Sequence, residues 1–448
     1  MPDLSQFTEA LLSAAKAEGA EASDAIATQG HSLSIDVRDG KLEQAERSES
    51  VDIGLRVLIG KRQACVSASD TGSDTIQALA ERAVAMARIA PEDPNIGLAT
   101  PDQLATDTDT TALDLAERAP EPAPADLQDI AARTEAAALS FKDISQVQSA
   151  TSAFSQTSMH IAATNGFSAG YARSSHGTYC VAITGEGTDM ERDYFGESRI
   201  YRGDLPSPED IGKKAAERTL QRAGARKPPT GAFPVLYDER VASSLIGHLL
   251  QASNGASIAR GSSWLRDKMG EQILPKGMTV TEDPHRVRVS GSKLFDGEGL
   301  PTRKRHIVKD GVLQSWTLDL ANARKLGLES TGNAGRGTSA PPSPTLTNID
   351  LSQGSESRYQ LIADMGTGLL VTSLIGSSIN ATTGDYSRGA SGFWVENGEI
   401  AYPVNECTIA GNLIHMLMSL RPANDARTWT SRVIPSLLVE GLTIAGAS

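Results

Sequence analysis

The spacing of apolar residues along the first 90 positions predicts a helix, a group of strands and a second helix. Residues Leu4 to Lys16 repeat apolar side chains every three to four positions, which is the period of an amphipathic helix. A second helical period covers Asp74 to Ile89. Between the helices, short alternating runs are typical of strands, at Ala25–Thr28, Leu33–Arg38, Val51–Ile59 and Ala64–Ser67. Asp39-Gly40 predicts a hairpin turn between two of these runs.

The same order of elements occurs again before residue 225. An alanine-rich helix is predicted from Asp126 to Ser140, and a further helix from Asp210 to Ala223. Strand-like runs lie between them, with Asn165-Gly166 as a hairpin turn, at Gln146–Gln156, Ser158–Thr164, Phe167–Ser174 and Tyr179–Glu186. The element order therefore predicts α/β layers that contain a strand–strand–helix duplication.

Two interruptions divide the chain. Residues 90–124 contain six prolines among many acids, and they predict a surface crossing and not a core element. Arg226–Gly231 combines charge, two prolines and a glycine, which is typical of a domain boundary. We therefore predict an N-terminal α+β domain over residues 1–228 and a C-terminal domain over residues 229–448.

The C-terminal half has mostly the pattern of antiparallel strands. Phe233–Tyr237 predicts a buried strand and Val241–Gln251 a helix. Asp310-Gly311 and Asn397-Gly398 predict hairpin turns. Gly327–Thr347 is a long loop rich in Gly, Ser and Pro, and such loops are usually functional or lie at an interface. The fold class predicted for the whole chain is α+β, with a barrel- or sandwich-like C-terminal domain that holds a few helices.

Charge and cysteine content narrow the function classes. Residues 1–230 carry 35 acids and 22 bases, a balance of −13, and residues 231–448 carry 20 of each, a balance of zero. An acidic half repels phosphate backbones, so no nucleic-acid partner is expected. No apolar run approaches the ~18 residues of a spanning helix. Three widely spaced cysteines give no disulfide framework, and no signal-peptide pattern occurs, so we expect a cytoplasmic protein.

A search for catalytic motifs is largely negative. None of the seven histidines begins H-E-x-x-H, and neither a G-x-S-x-G elbow nor a Walker A loop occurs. His176 and Cys180 are four apart on a predicted strand, which separates them by about 13 Å. His415 lies in Ile409–Leu420, which predicts an apolar helix, and the acids Glu191 and Asp193 are predicted to be solvated. These residues alone show no self-contained catalytic constellation.

Three extended stretches carry a resemblance to a known family. They are Leu245–Leu250 with Gly255–Gly261; Phe295–Gly299 with Pro301-Thr302, Asp310–Leu313 and Ser330–Ala334; and Asn380–Gly398 with Tyr402–Val404 and Thr408–Asn412. Together they resemble the TldD/PmbA family, and within it the PmbA (TldE) branch. The first half is similar in layout, including Asp39–Lys41, so the resemblance covers nearly the whole chain.

The resemblance implies a cytoplasmic protein linked to proteolysis. In the TldD branch, H-E-x-x-x-H on a helix and a cysteine bind zinc, and the PmbA branch pairs with it as a heterodimer. The family is associated with peptide maturation, with antitoxin degradation and, by older naming, with modulation of DNA gyrase. If His248 matches the last histidine of the zinc motif, the first histidine and the glutamate fall on Ser243 and Ser244. Neither serine is a useful zinc ligand or general base at neutral pH.

We therefore expect a non-catalytic subunit, without catalytic or metal residues of its own, that walls a chamber around the zinc of a TldD-type partner. The substrates would be unfolded or extended peptides, which can add as a strand to an exposed edge. Alone, the chain is expected to form a homodimer, because twofold pairing is the commonest symmetry. The candidate positions on the chamber wall are His248, Asn254, Arg260, Asn333, Arg336, Asp385 and Ser391.

Two other functions remain open at this stage. A self-sufficient metallopeptidase would draw its ligands from distant histidines or acids that spacing does not reveal. A non-enzymatic modulator of DNA gyrase or of a toxin–antitoxin pair would use the acidic first half to imitate nucleic acid. The acids in that half are dispersed and do not form a tail.

Overall fold

The computed structural model describes residues 3–446, and its N-terminal region, residues 4–220, is built on a six-stranded antiparallel sheet. The strand order is β3-β2-β1-β4-β5-β6. The strands are β1 (Ala22–Arg38), β2 (Lys41–Ile59), β3 (Arg62–Ala68), β4 (Ile144–Ala163), β5 (Ser168–Thr184) and β6 (Glu191–Arg199). The helices are α1 (Leu4–Ala17), α2 (Ser73–Ile89), α3 (Pro124–Leu139) and α4 (Pro208–Leu220).

The predicted duplication is present. A helix, three strands and a second helix follow one another along the chain, and this order occurs twice. The two copies meet where β1 pairs antiparallel with β4, so the sheet order reads 3-2-1 and then 4-5-6. Helices α1 and α2 bury their apolar stripes on β1–β3, and α3 and α4 do so on β4–β6. Residues such as Leu55 and Val57 alternate along β2 toward that helical layer, as a half-buried strand requires.

In three places, two consecutive strands that were predicted as separate form one long strand. β1, β4 and β5 run without interruption through Gln29–Ser32, Thr157 and Ser175–Thr178, where the sequence pattern indicated gaps. The apolar alternation lapses in the middle of β1 because few side chains there face a core. The backbone pairing continues all the same, since β1 is bonded to β2 on one side and to β4 on the other.

The predicted surface crossing, residues 90–124, is more buried than its prolines and acids suggested. Ile96, Ala99, Leu113 and Leu115 are buried within it. The Arg324 guanidinium donates to the carbonyls of residues 95, 97 and 98, at 2.9 to 3.2 Å. The segment therefore packs against the C-terminal half, and its description as a crossing without core residues is wrong.

A closed five-stranded barrel is the centre of the C-terminal region, residues 231–445. The strands are β7 (Gly231–Tyr237), β8 (Val280–Glu282), β9 (Arg305–Lys309), β10 (Val312–Leu313), β11 (Ala334–Gly335), β12 (Ser343–Pro344), β13 (Ile349–Leu351), β14 (Gly368–Ile379), β15 (Asp385–Glu396), β16 (Glu399–Asn412), β17 (Arg421–Pro422), β18 (Arg432–Val433) and β19 (Leu437–Ala445). The barrel runs β16-β15-β14-β7-β19 and closes through the pairing of β16 with β19. The β7–β14 pair alone is parallel among these contacts. The α+β prediction with a barrel-like second half is confirmed.

Five helices accompany the barrel: α5 (Glu239–Ala252), α6 (Gly255–Arg260), α7 (Leu320–Leu326), α8 (Arg358–Met365) and α9 (Leu413–Met418). α5 shares the main core with barrel residues such as Val235 and Tyr237. α8 covers the opposite face of the same strands, where it meets Leu236, Leu370 and Leu438. Within residues 3–446, no helix combines the length and apolar character needed to cross a membrane.

The turn predictions hold, but one helix prediction fails. Asp39, Asp310 and Asn397 each adopt a positive φ and are each followed by a glycine with positive φ, as tight hairpin turns need. Ile409–Leu420 is not one helix, because β16 continues to Asn412 and pairs with β15 and β19. The predicted boundary between the two domains, at residues 228 and 229, falls between α4 and β7, and we keep it as a proposal. The predicted ends of the two domains, residues 1 and 448, lie outside the described residues.

Candidate functional site around helix α5

Helix α5 carries Ser243, Ser244 and His248, the three residues compared with a zinc motif in the sequence. Asp238 caps its first turn, and its carboxylate accepts from the Arg240 N–H at 3.2 Å. The buried stripe of α5 faces the main core and consists of Ala242, Leu245, Ile246, Leu249 and Leu250. Ser243, Ser244 and His248 lie on the partly exposed side. The helix is thus fixed by its apolar face and offers its polar face for contact.

His248 is half-buried against an aromatic pair. Its ring packs edge to face on Tyr386, with the centroids 5.8 Å apart, and the Tyr237 hydroxyl donates to that of Tyr386 at 3.2 Å. Burial lowers the pKa of His248, and the nearby Arg388 guanidinium lowers it further. Its Nε2 is buried and has no hydrogen-bond partner among the described residues. The imidazole is therefore neutral at pH 7.

Two cavities flank α5 and share Gln251. The first holds about 230 Å³ and is bordered by His248, Ser257, Trp264, Ser377 and Ile379. The second holds about 280 Å³ and is bordered by Asn254, Thr317, Thr345 and Arg432. Apart from the His248 imidazole in the first cavity and the Arg432 guanidinium in the second, both are lined by hydroxyl, amide and apolar groups. Such groups suit contact with a neutral peptide backbone better than with a charged ligand.

The residues around His248 do not fit a zinc ion. Ser243 and Ser244 supply only hydroxyls, and the Ser244 hydroxyl donates to the Val241 carbonyl at 2.7 Å. Burial raises the pKa of Cys407 to about 11, and its thiol donates to the Ala390 carbonyl at 3.1 Å, so in the metal-free chain it is a protonated thiol. Within residues 3–446, no three His, Cys, Asp or Glu side chains form a group that could hold a metal ion.

Asn254 and Arg260 bracket the short helix α6. Asn254 caps it, accepting from the Ala256 N–H at 3.0 Å and donating to the Pro344 carbonyl at 3.1 Å. Gly255 must be a glycine, because a Cβ there would lie 2.7 Å from the Thr317 carbonyl oxygen. Arg260 is exposed at the last turn. The structure thus places Asn254 at the second cavity and Arg260 on the surface of the helix beside it.

Asp385 lies in an exposed turn near the first cavity. Its carboxylate accepts from the Thr383 hydroxyl at 2.6 Å and from the Asn412 amide at 3.2 Å, and both bonds lower its pKa. The same turn reaches the first cavity through Ala381, whose carbonyl accepts from the Trp264 N–H at 2.9 Å. Asp385 therefore belongs to the segment that borders the cavity at Ala381, but it does not line the cavity itself.

Asn333, Arg336 and Ser391 lie inside the molecule, where each binds another part of the chain. The Asn333 amide donates to Glu282 at 2.8 Å, and the buried Ser391 hydroxyl accepts from Arg222 at 3.0 Å. The Arg336 side chain is 0 % exposed and binds Asp24. Nothing in the structure tests whether any of the seven candidate positions contacts a substrate, so that assignment stays a prediction.

The burial of three acidic residues, Asp193, Asp296 and Glu298, was not recognised from the sequence. Asp193 lies on β6 and binds Arg240 at 3.2 Å. The prediction that this acid is solvated is therefore wrong. Asp296 and Glu298 lie in the Phe295–Gly299 stretch, where burial raises both pKa values, that of Glu298 to about 8. The alternation of side chains along β6 was the one sequence signal for the burial of Asp193. The burial of Glu298 is decided by tertiary packing alone.

Comparison with known proteins places this architecture in a family. Models of the PmbA/TldA metallopeptidase match over residues 23–87 (domain 1), 117–223 (central domain) and 230–446 (C-terminal domain). Metalloprotease PmbA of Escherichia coli O157:H7 is 38% identical over 437 residues, covering 97% of this chain and 94% of that protein. The chain belongs to the PmbA/TldD metallopeptidase family.

Two proteins of Haemophilus influenzae indicate the branch of the PmbA/TldD family. Its Metalloprotease PmbA homolog is 34% identical over 99% of this chain, whereas its Metalloprotease TldD homolog is 28% identical over 54%. A crystal structure from Bacteroides thetaiotaomicron, described as a candidate modulator of DNA gyrase, has a TM-score of 0.90 at 26% identity, covering 98% of each chain. TldE from Thermococcus kodakarensis has the same fold, with a TM-score of 0.83 at 20% identity, covering 98% of this chain and 99% of that one.

Proposed function

We propose that this chain is the non-catalytic subunit of a TldD/PmbA-type metallopeptidase complex and forms part of a chamber for extended peptides. The replacement of the zinc-binding residues carries the proposal. If His248 on α5 stands where the last histidine of the zinc motif would be, Ser243 and Ser244 stand where its first histidine and its glutamate would be. The zinc belongs to a TldD-type partner in a cytoplasmic heterodimer, and this chain alone pairs with a second copy.

The free edge of β14 supports binding of an extended peptide. β14 pairs with β7 only at Leu369–Val371, because β7 ends at Tyr237 and the chain turns into α5. Beyond that point, residues 373–375 and 378–379 pair with β15 on one side, with an irregularity at Gly376 and Ser377 between them, and residues 373–379 have no strand partner on the other side among the described residues. Ser377 and Ile379 of this stretch border the cavity of His248.

A peptide strand added at this edge would bind through main-chain hydrogen bonds, with little demand on sequence. The neutral imidazole of His248 and the amide of Gln251 lie beside it in the first cavity. Ile375, 71% exposed, offers an apolar contact on the same stretch. Among the predicted wall positions, His248, Asn254, Arg260 and Asp385 retain exposed or half-exposed surface, and we keep these four as the substrate-contact candidates.

The test measures zinc content and hydrolysis of an unfolded peptide, for this chain alone and mixed with a TldD-type partner. We expect zinc and activity only with the partner present. Ser377→Pro removes a backbone N–H from the β14 edge and should lower the activity of the mixture, whereas the matched Ser377→Ala should not.

Stoichiometric zinc and activity in the isolated chain would instead support the self-sufficient peptidase, which the names of the PmbA relatives favour. That result would overturn the proposal. Equal activity of the Pro and Ala variants would remove the role of the β14 edge.

A further inference from the structure

The second cavity beside α5 contains a guanidinium that has no carboxylate partner. Arg432 of β18 is partly exposed, and its Nη1 donates to the Thr347 carbonyl at 2.9 Å. In the described part of the chain, residues 3–446, Arg432 forms no ion pair, and its Nε and Nη2 have no hydrogen-bond acceptor. It is also the one charged residue on the border of the cavity, which otherwise consists of Gly247, Leu250, Gln251, Asn254, Thr317, Pro344, Thr345 and Leu346.

The carboxylate whose field reaches Arg432, that of Glu282, is already neutralised by another arginine. Arg305 donates to one of its oxygens at 2.8 Å. The other oxygen accepts from the Asn333 amide at 2.8 Å, and from the N–H and hydroxyl of Thr347 at 2.6 and 2.9 Å. Burial lowers the pKa of Arg432, and Glu282 opposes this effect without reversing it. The charge of Arg432 is therefore uncompensated within the described residues, at a half-buried position where an unpaired charge costs free energy.

Another cavity, between β6 and the C-terminal region, shows the usual arrangement of such side chains. It holds about 260 Å³ and is bordered by Arg199, Arg288 and Arg427. Each of these three guanidinium groups binds a carboxylate of the chain, at 2.5 to 2.7 Å. That cavity needs no anion from outside, whereas the cavity of Arg432 lacks a counter-charge for its one cation.

The groups around Arg432 suit a carboxylate. Because its Nη1 is occupied by the Thr347 carbonyl, the edge formed by Nε and Nη2 is left, and two parallel N–H groups match the two oxygens of a carboxylate. The Gln251 amide is exposed and has no hydrogen-bond partner among residues 3–446, so it offers a further donor. Leu250 and Leu346 provide apolar walls. A single cation in this setting fits one negative charge better than a phosphate group, which carries about −1.5 to −2 at pH 7.

We propose that the second cavity binds a carboxylate of a peptide through the Nε and Nη2 edge of Arg432, with the Gln251 amide as a second donor. The carboxylate is the C-terminal group of the peptide or an acidic side chain, and peptides that carry only one of them distinguish the two. Gln251 borders both cavities, so a peptide held at the β14 edge and in the first cavity lies next to this anion site. The inference rests on the proposed function for the peptide, and it adds a substrate class, that of peptides with a carboxylate at this position.

Fluorescence anisotropy of four labelled, unfolded peptides with the full chain tests the site. The first peptide has a free C-terminus and no acidic side chain, and the second is its C-terminal amide. The third is that amide with one central glutamate, and the fourth has glutamine in the same place. We expect the free C-terminus or the glutamate to lower the dissociation constant about tenfold relative to its neutral counterpart, because hydrogen bonds to charged groups are the strong ones. The pair that differs identifies the source of the carboxylate.

Gly247→Glu tests the site without removing Arg432 or its bond to Thr347. Gly247 lies on α5 at the border of the same cavity, and a Cβ there meets no atom within 4 Å. The added carboxylate competes with the peptide for Arg432, so this variant should lose the preference for the charged peptide. Gly247→Gln, matched in size, should retain the preference. Arg432→Gln should also lose it, and circular dichroism checks that this variant folds.

Equal affinity for charged and neutral peptides, or no binding of any of the four, would overturn the inference. A preference that persists in Gly247→Glu or in folded Arg432→Gln would also overturn it, because the carboxylate would then bind elsewhere. Stronger competition by inorganic phosphate than by acetate would assign the cavity to phosphate instead. Zinc content and hydrolysis of the neutral peptide by the mixture with a TldD-type partner decide the proposed function separately, so the two failures are distinguishable.

Discussion

The Arg336 guanidinium donates a hydrogen bond to the Asp24 carboxylate across 2.9 Å, joining the long loop of the C-terminal region to the first strand of the N-terminal sheet. Asp24 also binds Arg56 of β2, and all three side chains are at most 5% exposed. Burial opposes ionisation of Asp24, but the two guanidinium groups outweigh it and lower its pKa. One carboxylate therefore holds two cations at the junction of the two regions.

Asp24→Asn should lower the free energy of unfolding by about 3–5 kcal/mol, because it leaves two buried guanidinium groups without a counter-charge. Urea unfolding at pH 7 measures the change. Because the folded-state pKa is below the ordinary value of 3.8, the wild-type advantage is present above that pH and is lost as the pH falls through the folded pKa. Asp385→Asn, at an exposed carboxylate, is the control and should cost less than about 1 kcal/mol. A loss that small for Asp24→Asn would contradict the prediction.

His248→Gln should make stability less dependent on pH below neutrality. The folded-state pKa of His248 lies below the ordinary 6.5, so between these values the unfolded chain binds a proton that the folded chain does not. Wild-type stability therefore falls as the pH is lowered through 6.5, and the glutamine variant lacks this contribution. His160 and His176 also have lowered pKa values, so the difference between wild type and variant is the quantity to measure. An NMR titration that gives His248 a pKa above 6.5 would sink the idea.

No more than one of the three thiols should react in the native protein. Burial raises the pKa of Cys180 to about 12 and that of Cys407 to about 11, so both stay protonated and shielded at pH 8. Cys65 is half-buried and also has a raised pKa, which slows its reaction. Mass spectrometry after treatment with iodoacetamide should show modification at Cys65 alone, and at all three sites in denaturant. Native modification of Cys407 would mean that the barrel opens in solution.

The individual turns and helices could be predicted from the sequence, but the closure of the C-terminal barrel could not. Hairpin turns such as Asp39-Gly40 and helices such as α5 follow from short-range chemistry, and both were found where the pattern placed them. The barrel depends on β16 meeting β19, a contact between residues 33 to 37 positions apart that no local pattern marks. The pattern of antiparallel strands supplied the expectation of a barrel or sandwich, and tertiary packing decided for the barrel.

In the candidate site as well, the local elements could be predicted and the tertiary contacts could not. His248 was placed on a helix from periodicity alone, and the cavities beside it come from the approach of α6 and β14. Arg336 looked like a loop residue available to a substrate, because nothing in a Gly-rich loop shows that a guanidinium is buried. Its partner Asp24 is 312 positions away, and charge pairs at such separation leave no trace in a single sequence.

Glu298→Gln should flatten the pH dependence of stability between pH 6 and 8. Burial and, after it, the neighbouring Asp296 raise the pKa of Glu298 to about 8, so the folded chain keeps a proton that the unfolded chain releases above about 4.5. Since the folded state then binds more protons, wild-type stability falls as the pH rises through this window. We expect the wild type to lose about 1–3 kcal/mol more than the variant between pH 6 and pH 8, measured by urea unfolding. Glu209→Gln is the matched control, because the pKa of Glu209 is lowered and it stays ionised throughout. Parallel pH profiles for wild type and Glu298→Gln would show that Glu298 is ionised in the folded protein.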